Sequence, residues 1–389
     1  MLRLVVCALL LAASLATSAT TGAAQALSQR RAVEVYRLGG PNAEEAYAFP
    51  EVPNLVAFPS GLVFARFAQT GNISVFDQAG RHSRTIGRKG QGPGEFDFAL
   101  AHGLLGDTLW VRNGFAPRIS TFTTGGTHIS TTPTPFQLGS YQLSAPLSTS
   151  GYMRNGRAYL LVDANVLGVN DRIQLPVLIG DRGMQRVDTL LHMANPQGVF
   201  VPELGTFGMS PIESPPLIHF AADGTGVIVV DWSGSSPGQA RVRSFDPTGT
   251  LMWTQNVTMA PGRLTPQLRD SMITAYEGRI NRIAEIARRT GGSVPRDIRA
   301  AAERALALPD WLPPVRSVVK GIDGTIWLEQ SDGVSGGRWT VLDEKGVPTF
   351  EVRLNPAIRL QQAKRDAIWA TTVDELDVPY IVHFRIEGS

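Results

Sequence analysis

Short apolar runs recur along this chain, each too brief for a helix and each closed by a turn. One set reads Leu62–Arg66, Leu109–Arg112, Tyr159–Asp163, Val227–Asp231, Ile326–Glu329 and Ile368–Thr371. Each is followed by a second run: Ile73–Phe76, Ile119–Phe122, Ile173–Leu175, Val242–Phe245, Trp339–Leu342 and Tyr380–Phe384. Polar turns come next, as in Asp77-Gln78-Ala79-Gly80, Thr123-Thr124-Gly125-Gly126, Asp246-Pro247-Thr248-Gly249 and Asp343-Glu344-Lys345-Gly346. An Asp or Thr that opens a turn and a Gly near its end are the chemistry of a hairpin. A further strand then follows, such as Phe350–Val352. The spacing from Phe76 to Phe122 is 46 residues and from Leu342 to Phe384 is 42. Four short strands per unit at this period predict a propeller blade.

Six such units are expected, hence an all-β, six-bladed β-propeller. The last unit holds three strands before the chain ends. The N-terminal strand Val33–Leu38 is expected to complete it and remove the edge that an open ring leaves. Ile86-Gly87-Arg88-Lys89-Gly90-Gln91-Gly92-Pro93-Gly94-Glu95-Phe96, with Leu109-Trp110-Val111 and Arg118-Ile119 after it, resembles the NHL-type repeat of six-bladed propellers. Asp374-Glu375-Leu376-Asp377-Val378 resembles the close of a set of secreted bacterial six-bladed propellers. The resemblance implies a fold over most of the chain; it does not imply one activity.

One segment breaks the strand pattern. Residues 263–308 are expected to form a helical hairpin between blades four and five. Thr265-Pro266 is a helix start, and Leu268, Met272, Tyr276, Ile280, Ile283 and Ala287 mark one apolar face. A second helix is expected from Pro295 to about Leu308. The segment carries nine arginines against five acids. Its place in the order of strands puts it on the face where propeller ligands bind, as a lid, a docking surface or a plain decoration.

Composition narrows the setting. Arg3, the apolar stretch Val5–Ala16 and Ala24-Gln25-Ala26 form a secretory signal over 1–26, leaving 27–389 as the propeller. The expected location is therefore the periplasm or the exterior. No later stretch is long and apolar enough for a spanning helix. The one cysteine, Cys7, lies inside the signal, so cysteine-ligated metal and disulfides are not expected downstream. A formal charge of +2 and the lack of a basic stripe argue against a nucleic-acid partner.

No catalytic motif stands out. Gly234-Ser235-Ser236-Pro237-Gly238 and Gly333-Val334-Ser335-Gly336-Gly337 fit the Gly-x-Ser-x-Gly pattern, but strands follow both, where a nucleophile elbow needs a helix. The Gly90–Gly94 run lacks the Gly-Lys-Ser/Thr of a phosphate loop. No motif calls for a metal or a cofactor. Aligning the units places His102 and His219 at matching points of inner strands, where two imidazoles could approach the channel. Arg66, Arg112, Asp163, Asp231, Glu329 and Thr371 end the second strands and form a ring of candidates. Arg88 lies between the first two. Three guanidinium groups suit a carboxylate, sulfate or phosphate, while the acids opposite are candidates to pair with them. Asp374, Glu375 and Asp377 are weighed as calcium ligands, and Trp232 and Phe115 as sugar-stacking surfaces. Two main readings follow: a binding scaffold for a small anionic ligand or a protein, and a channel-metal hydrolase or lyase of the lactonase type.

Overall fold

The computed structural model describes residues 27–388, apart from 69, 115–117, 134–150, 162–173, 183–185, 195–199, 202–205, 208–211, 213–215, 234, 291–293, 295, 307 and 332–336. The signal segment 1–26 lies outside the described residues.

Strands dominate. Sheet I comprises Asn54–Ala57, Val63–Phe67, Asn72–Phe76 and His82–Ile86. Sheet II comprises Ala99–Leu105, Thr108–Asn113, Arg118–Thr123 and His128–Pro133. Sheet III comprises Gly151–Tyr152, Ala158–Leu161, Gln174–Gly180 and Val187–Ala194, so its third strand begins after the run at Ile173–Leu175 suggests. Sheet IV comprises Leu217–Phe220, Val227–Trp232, Gln239–Phe245 and Leu251–Thr258. Each is an antiparallel meander. The remaining large sheet has eight strands. Its first half is Val315–Lys320, Ile326–Gln330, Arg338–Leu342 and Pro348–Arg353; its second half is Arg359–Lys364, Ala367–Val373 and Pro379–Glu387.

The N-terminal strand Ser28–Gly39 joins these halves. Ser28, Gln29 and Arg30 pair in parallel with Phe350, Glu351 and Val352. Arg31 through Gly39 then run antiparallel to Glu387 through Tyr380, with a bulge at Glu34/Tyr36. The strand is thus longer than the apolar run Val33–Leu38, because its polar start finds a second partner. That start is fixed by charge: Glu351 accepts from Gln29 at 2.7 Å and from both nitrogens of the Arg338 fork, the shortest at 2.8 Å.

Second strands are apolar on both faces because each sheet is covered on both faces. Phe64, Ile73, Leu109 and Val111 fill the gap between sheets I and II. Trp110, Leu160 and Leu178 fill that between II and III, and Met153, Ile179 and Val229 that between III and IV. Ile228, Val230, Val318 and Leu328 join sheet IV to the first half of the large sheet. Trp327, Trp339, Ile368 and Val382 join the two halves. Finally Trp369 and Ile381 pack with Leu55, Ala65 and Phe76, which returns the sequence of contacts to sheet I. The fold is all-β and propeller-like.

Two helices interrupt the strands, α1 (Pro266–Thr290) and α2 (Ile298–Leu306). Thr265 Oγ1 accepts the Leu268 N–H at 3.2 Å and caps α1. Asp297 Oδ1 accepts the Ala300 N–H at 2.9 Å, which sets the start of α2 at Ile298 instead of Pro295. The helices pack on one another through Ile273, Ile280, Ala302 and Leu306. Arg269 ties the base of α1 to the carbonyls of Leu308 and Pro309. No helix among the described residues is long and apolar enough to cross a membrane.

Candidate functional site

Strand alternation decides where each candidate side chain goes. Arg66 shares a face with Phe64, so it points from sheet I toward sheet II, where its Nη1 donates to the Ala99 carbonyl. It is only 8% exposed. His102 alternates with Ala101, which packs toward sheet III, and therefore faces back to sheet I. Its Nε2 lies 3.3 Å from the Phe64 carbonyl. Arg112 shares a face with Trp110 and points toward sheet III; Tyr159, on the far face of that sheet, feels its charge. Tyr159 in turn stacks on Phe220 of sheet IV, with ring centroids 3.6 Å apart.

These groups influence one another electrically. Burial lowers the pKa of Arg66; Glu51 opposes that and Arg112 adds to it. Burial also lowers the pKa of Arg112, with Tyr159 opposing. His102 is pushed down to about 3, first by burial and then by the Arg66 charge, so it is neutral at physiological pH. Burial raises the Tyr159 hydroxyl above its ordinary range. The result is two desolvated guanidinium groups from adjacent sheets, one nearby carboxylate, and neutral imidazole and phenol groups.

The other candidates lie elsewhere. His219 shares a face with Leu217, which packs toward the large sheet, and Lys320 lowers its pKa after burial, to about 4. His102 and His219 therefore face different gaps between sheets, and no paired imidazole site forms. Arg88 is exposed and held by Glu95 at 2.6 Å, while Glu95 also accepts the Gly92 N–H at 2.9 Å. Arg118 clamps the carbonyls of Gln91 and Glu95. The Gly-rich run is thus a pinned loop, and Arg88 does not join Arg66 and Arg112. Asp231 pairs with Arg243 at 2.8 Å within sheet IV. Glu329 is buried, accepts the Gly337 N–H at 3.3 Å and lies 3.8 Å from Arg316. The described acids of the ring are engaged inside their own sheets, not across the channel.

Asp163, Phe115, Gly234 and the loop 332–336 lie outside the described residues. Ser235 Oγ is 2.8 Å from Ser233 Oγ. Asp374 accepts the N–H groups of Leu376 and Val378, each at 2.9 Å, and the Tyr380 hydroxyl at 3.1 Å. Its oxygens thus serve the turn. Trp232 packs against the cluster between sheet IV and the large sheet. Among the described residues no group of three or more His, Cys, Asp or Glu gathers to hold a metal ion. Tyr159 and Glu51 were not legible as site residues in sequence.

No family model matches this chain, and no curated protein matches it. Among solved structures it is similar to a member of the DUF4221 family from Bacteroides vulgatus, at 10% identity over 93% of this chain and 100% of that one, with a TM-score of 0.48. It is also similar to virginiamycin B lyase from Staphylococcus aureus, at 13% identity over 89% of this chain and 87% of that one, TM-score 0.35. A third is the calcium-binding protein regucalcin from Agrobacterium tumefaciens, at 10% identity over 93% of this chain and 97% of that one, TM-score 0.37. None of these likenesses carries a function to this chain.

Proposed function

We propose that this chain is a secreted or periplasmic six-bladed propeller that binds a small oxyanion beside its channel without transforming it. The observation that supports the binding reading is a pair of largely buried guanidinium groups on adjacent sheets, Arg66 and Arg112, near enough for the Arg112 charge to lower the Arg66 pKa, with the neutral imidazole of His102 in the gap that Arg66 enters. Two arginines already desolvated bind an anion at a lower cost than two that must first shed water. Support for six blades comes from the contacts of inner strands: Asn54–Ala57 touches Ala99–Leu105 and Arg359–Lys364, which touches Val315–Lys320, which touches Leu217–Phe220. In this reading the eight-stranded sheet is two blades sharing Ser28–Gly39, through three parallel pairs on one side. Support for export is the charged, apolar and small-residue order of 1–26, with maturation after Ala26. The helical hairpin at 263–308 is a decoration or docking element on a single propeller domain.

Calorimetric titration of the purified chain with inorganic phosphate, sulfate and succinate tests the site. At least one is expected to give saturable heat that Arg112→Gln removes while the melting temperature stays near that of the parent. Absence of saturable heat with all three, in a folded protein, sinks the reading. N-terminal sequencing of the exported protein checks the cleavage point.

A further inference from the structure

A second site lies away from the channel arginines. Where Ser28–Gly39 passes from one half of the large sheet to the other, the halves part and leave a cleft of about 340 Å³. That volume lies at the lower end of the range for small-ligand pockets. Its apolar lining includes Leu354, Ile358 and Phe384. Glu34 and Arg37 also line it, but they satisfy each other, with nitrogen–oxygen distances of 3.1 and 2.7 Å.

The cation left over is Arg353. It is exposed and lines the cleft, and it makes no hydrogen bond or ion pair with any described residue. The ladder explains why. Arg353 sits directly opposite Arg338 in the register, so two like charges face each other. One carboxylate, Glu351, projects from the same face two residues away, and the Arg338 fork and Gln29 occupy both its oxygens. Beside Arg353, Asn355 uses its Oδ1 to accept the Ala357 N–H at 2.9 Å, while its Nδ2 makes no hydrogen bond to a described residue. An unneutralised guanidinium and a free amide donor thus stand beside the apolar part of a cleft whose lining is otherwise polar.

We propose that this seam cleft binds a carboxylate carried on an aliphatic body, held by Arg353 and Asn355 with its chain against Leu354, Ile358 and Phe384. A free aliphatic acid and the C-terminus of a peptide ending in an aliphatic residue share that chemistry. The proposal is independent of the channel site.

Calorimetry on the full chain uses hexanoate and acetyl-glycyl-leucine as probes, with hexylamine and the amide of the dipeptide as controls. At least one carboxylate is expected to bind saturably and its control not to. Tighter hexanoate binding assigns the free acid; tighter dipeptide binding assigns a peptide C-terminus. Arg353→Gln is expected to weaken binding about tenfold or more, and its exposed position leaves the fold intact. Arg112→Gln is expected to leave this binding unchanged. The proposal is overturned if neither carboxylate binds, if the amine binds as well as the acid, if Arg353→Gln keeps the parent affinity, or if Arg112→Gln abolishes the heat.

Discussion

Replacing His383 with phenylalanine should make the protein more stable in mild acid. The ring of His383 stacks on Trp369 at 5.0 Å between centroids and lies 5.0 Å from the Tyr36 ring. Neither of its nitrogens has a hydrogen-bond partner among the described residues. Burial pushes its pKa down to about 4, Lys364 adds to that and Asp366 opposes it. In the unfolded chain the same imidazole titrates near 6.5. The unfolded state therefore binds the proton first as the pH falls. The stability that rests on a neutral His383 is complete above about pH 6.5 and is lost progressively toward pH 4. At pH 5 the full difference is about 2 kcal/mol, and screening at a ring that keeps some exposed surface leaves about 1 kcal/mol. His102, at about 3, and His219, at about 4, act with the same sign, so the parent should lose stability steadily between pH 6.5 and 5. Asp77, Asp246, Asp374 and Glu351 do not mimic this, because all four are shifted downward and titrate below that window. Urea unfolding at pH 7.5, 6.5, 5.5 and 5.0, on parent and His383→Phe, measures the effect. A shallower decline in the variant is expected. A parent whose unfolding free energy is flat over that range, or a variant that keeps the parent slope, would refute the reasoning.

Three further outcomes follow from packing and turns. Trp327 is fully buried between the halves of the large sheet, with its Nε1 donating to Thr325 Oγ1 at 3.1 Å; Trp327→Ala should cost about 3–5 kcal/mol by urea unfolding. Glu351→Ala strands Arg338 and Gln29 and should cost about 2 kcal/mol, with faster hydrogen exchange at residues 28–30 than elsewhere in that strand. Asp377 holds a φ of 60°, so Asp377→Gly should be neutral or stabilising by up to about 1 kcal/mol in thermal melts.

Local chemistry was readable where it is decided locally. Asp77 accepts the N–H groups of Ala79 and Arg81, Asp246 and Asp343 repeat that pattern, and Gly80, Gly249 and Gly346 take positive φ after them. Sequence spacing carries all of this. The strand holding His102 was equally legible, but the gap that His102 faces was not. Alternation gives two faces, and only the neighbouring sheets say which is which. Arg88 looked like a third member of the arginine group because it lies between the other two in the chain. Its proximity to Glu95 in the loop settled its partner instead. Arg353 and Asn355 carried no motif at all, since their interest comes from a register that sets Arg353 against Arg338.

The central claim is that the two ends of the chain share one sheet and so close the ring. Arg31 and Glu387 face each other in that pairing. In a Cys7→Ser background, Arg31→Cys with Glu387→Cys should form an intramolecular disulfide on mild oxidation, since paired strand positions lie within disulfide reach. Because it closes most of the chain into a loop, it should raise stability by roughly 4 kcal/mol over the reduced form. Two thiols that stay free, or that link separate molecules instead, would contradict the closure.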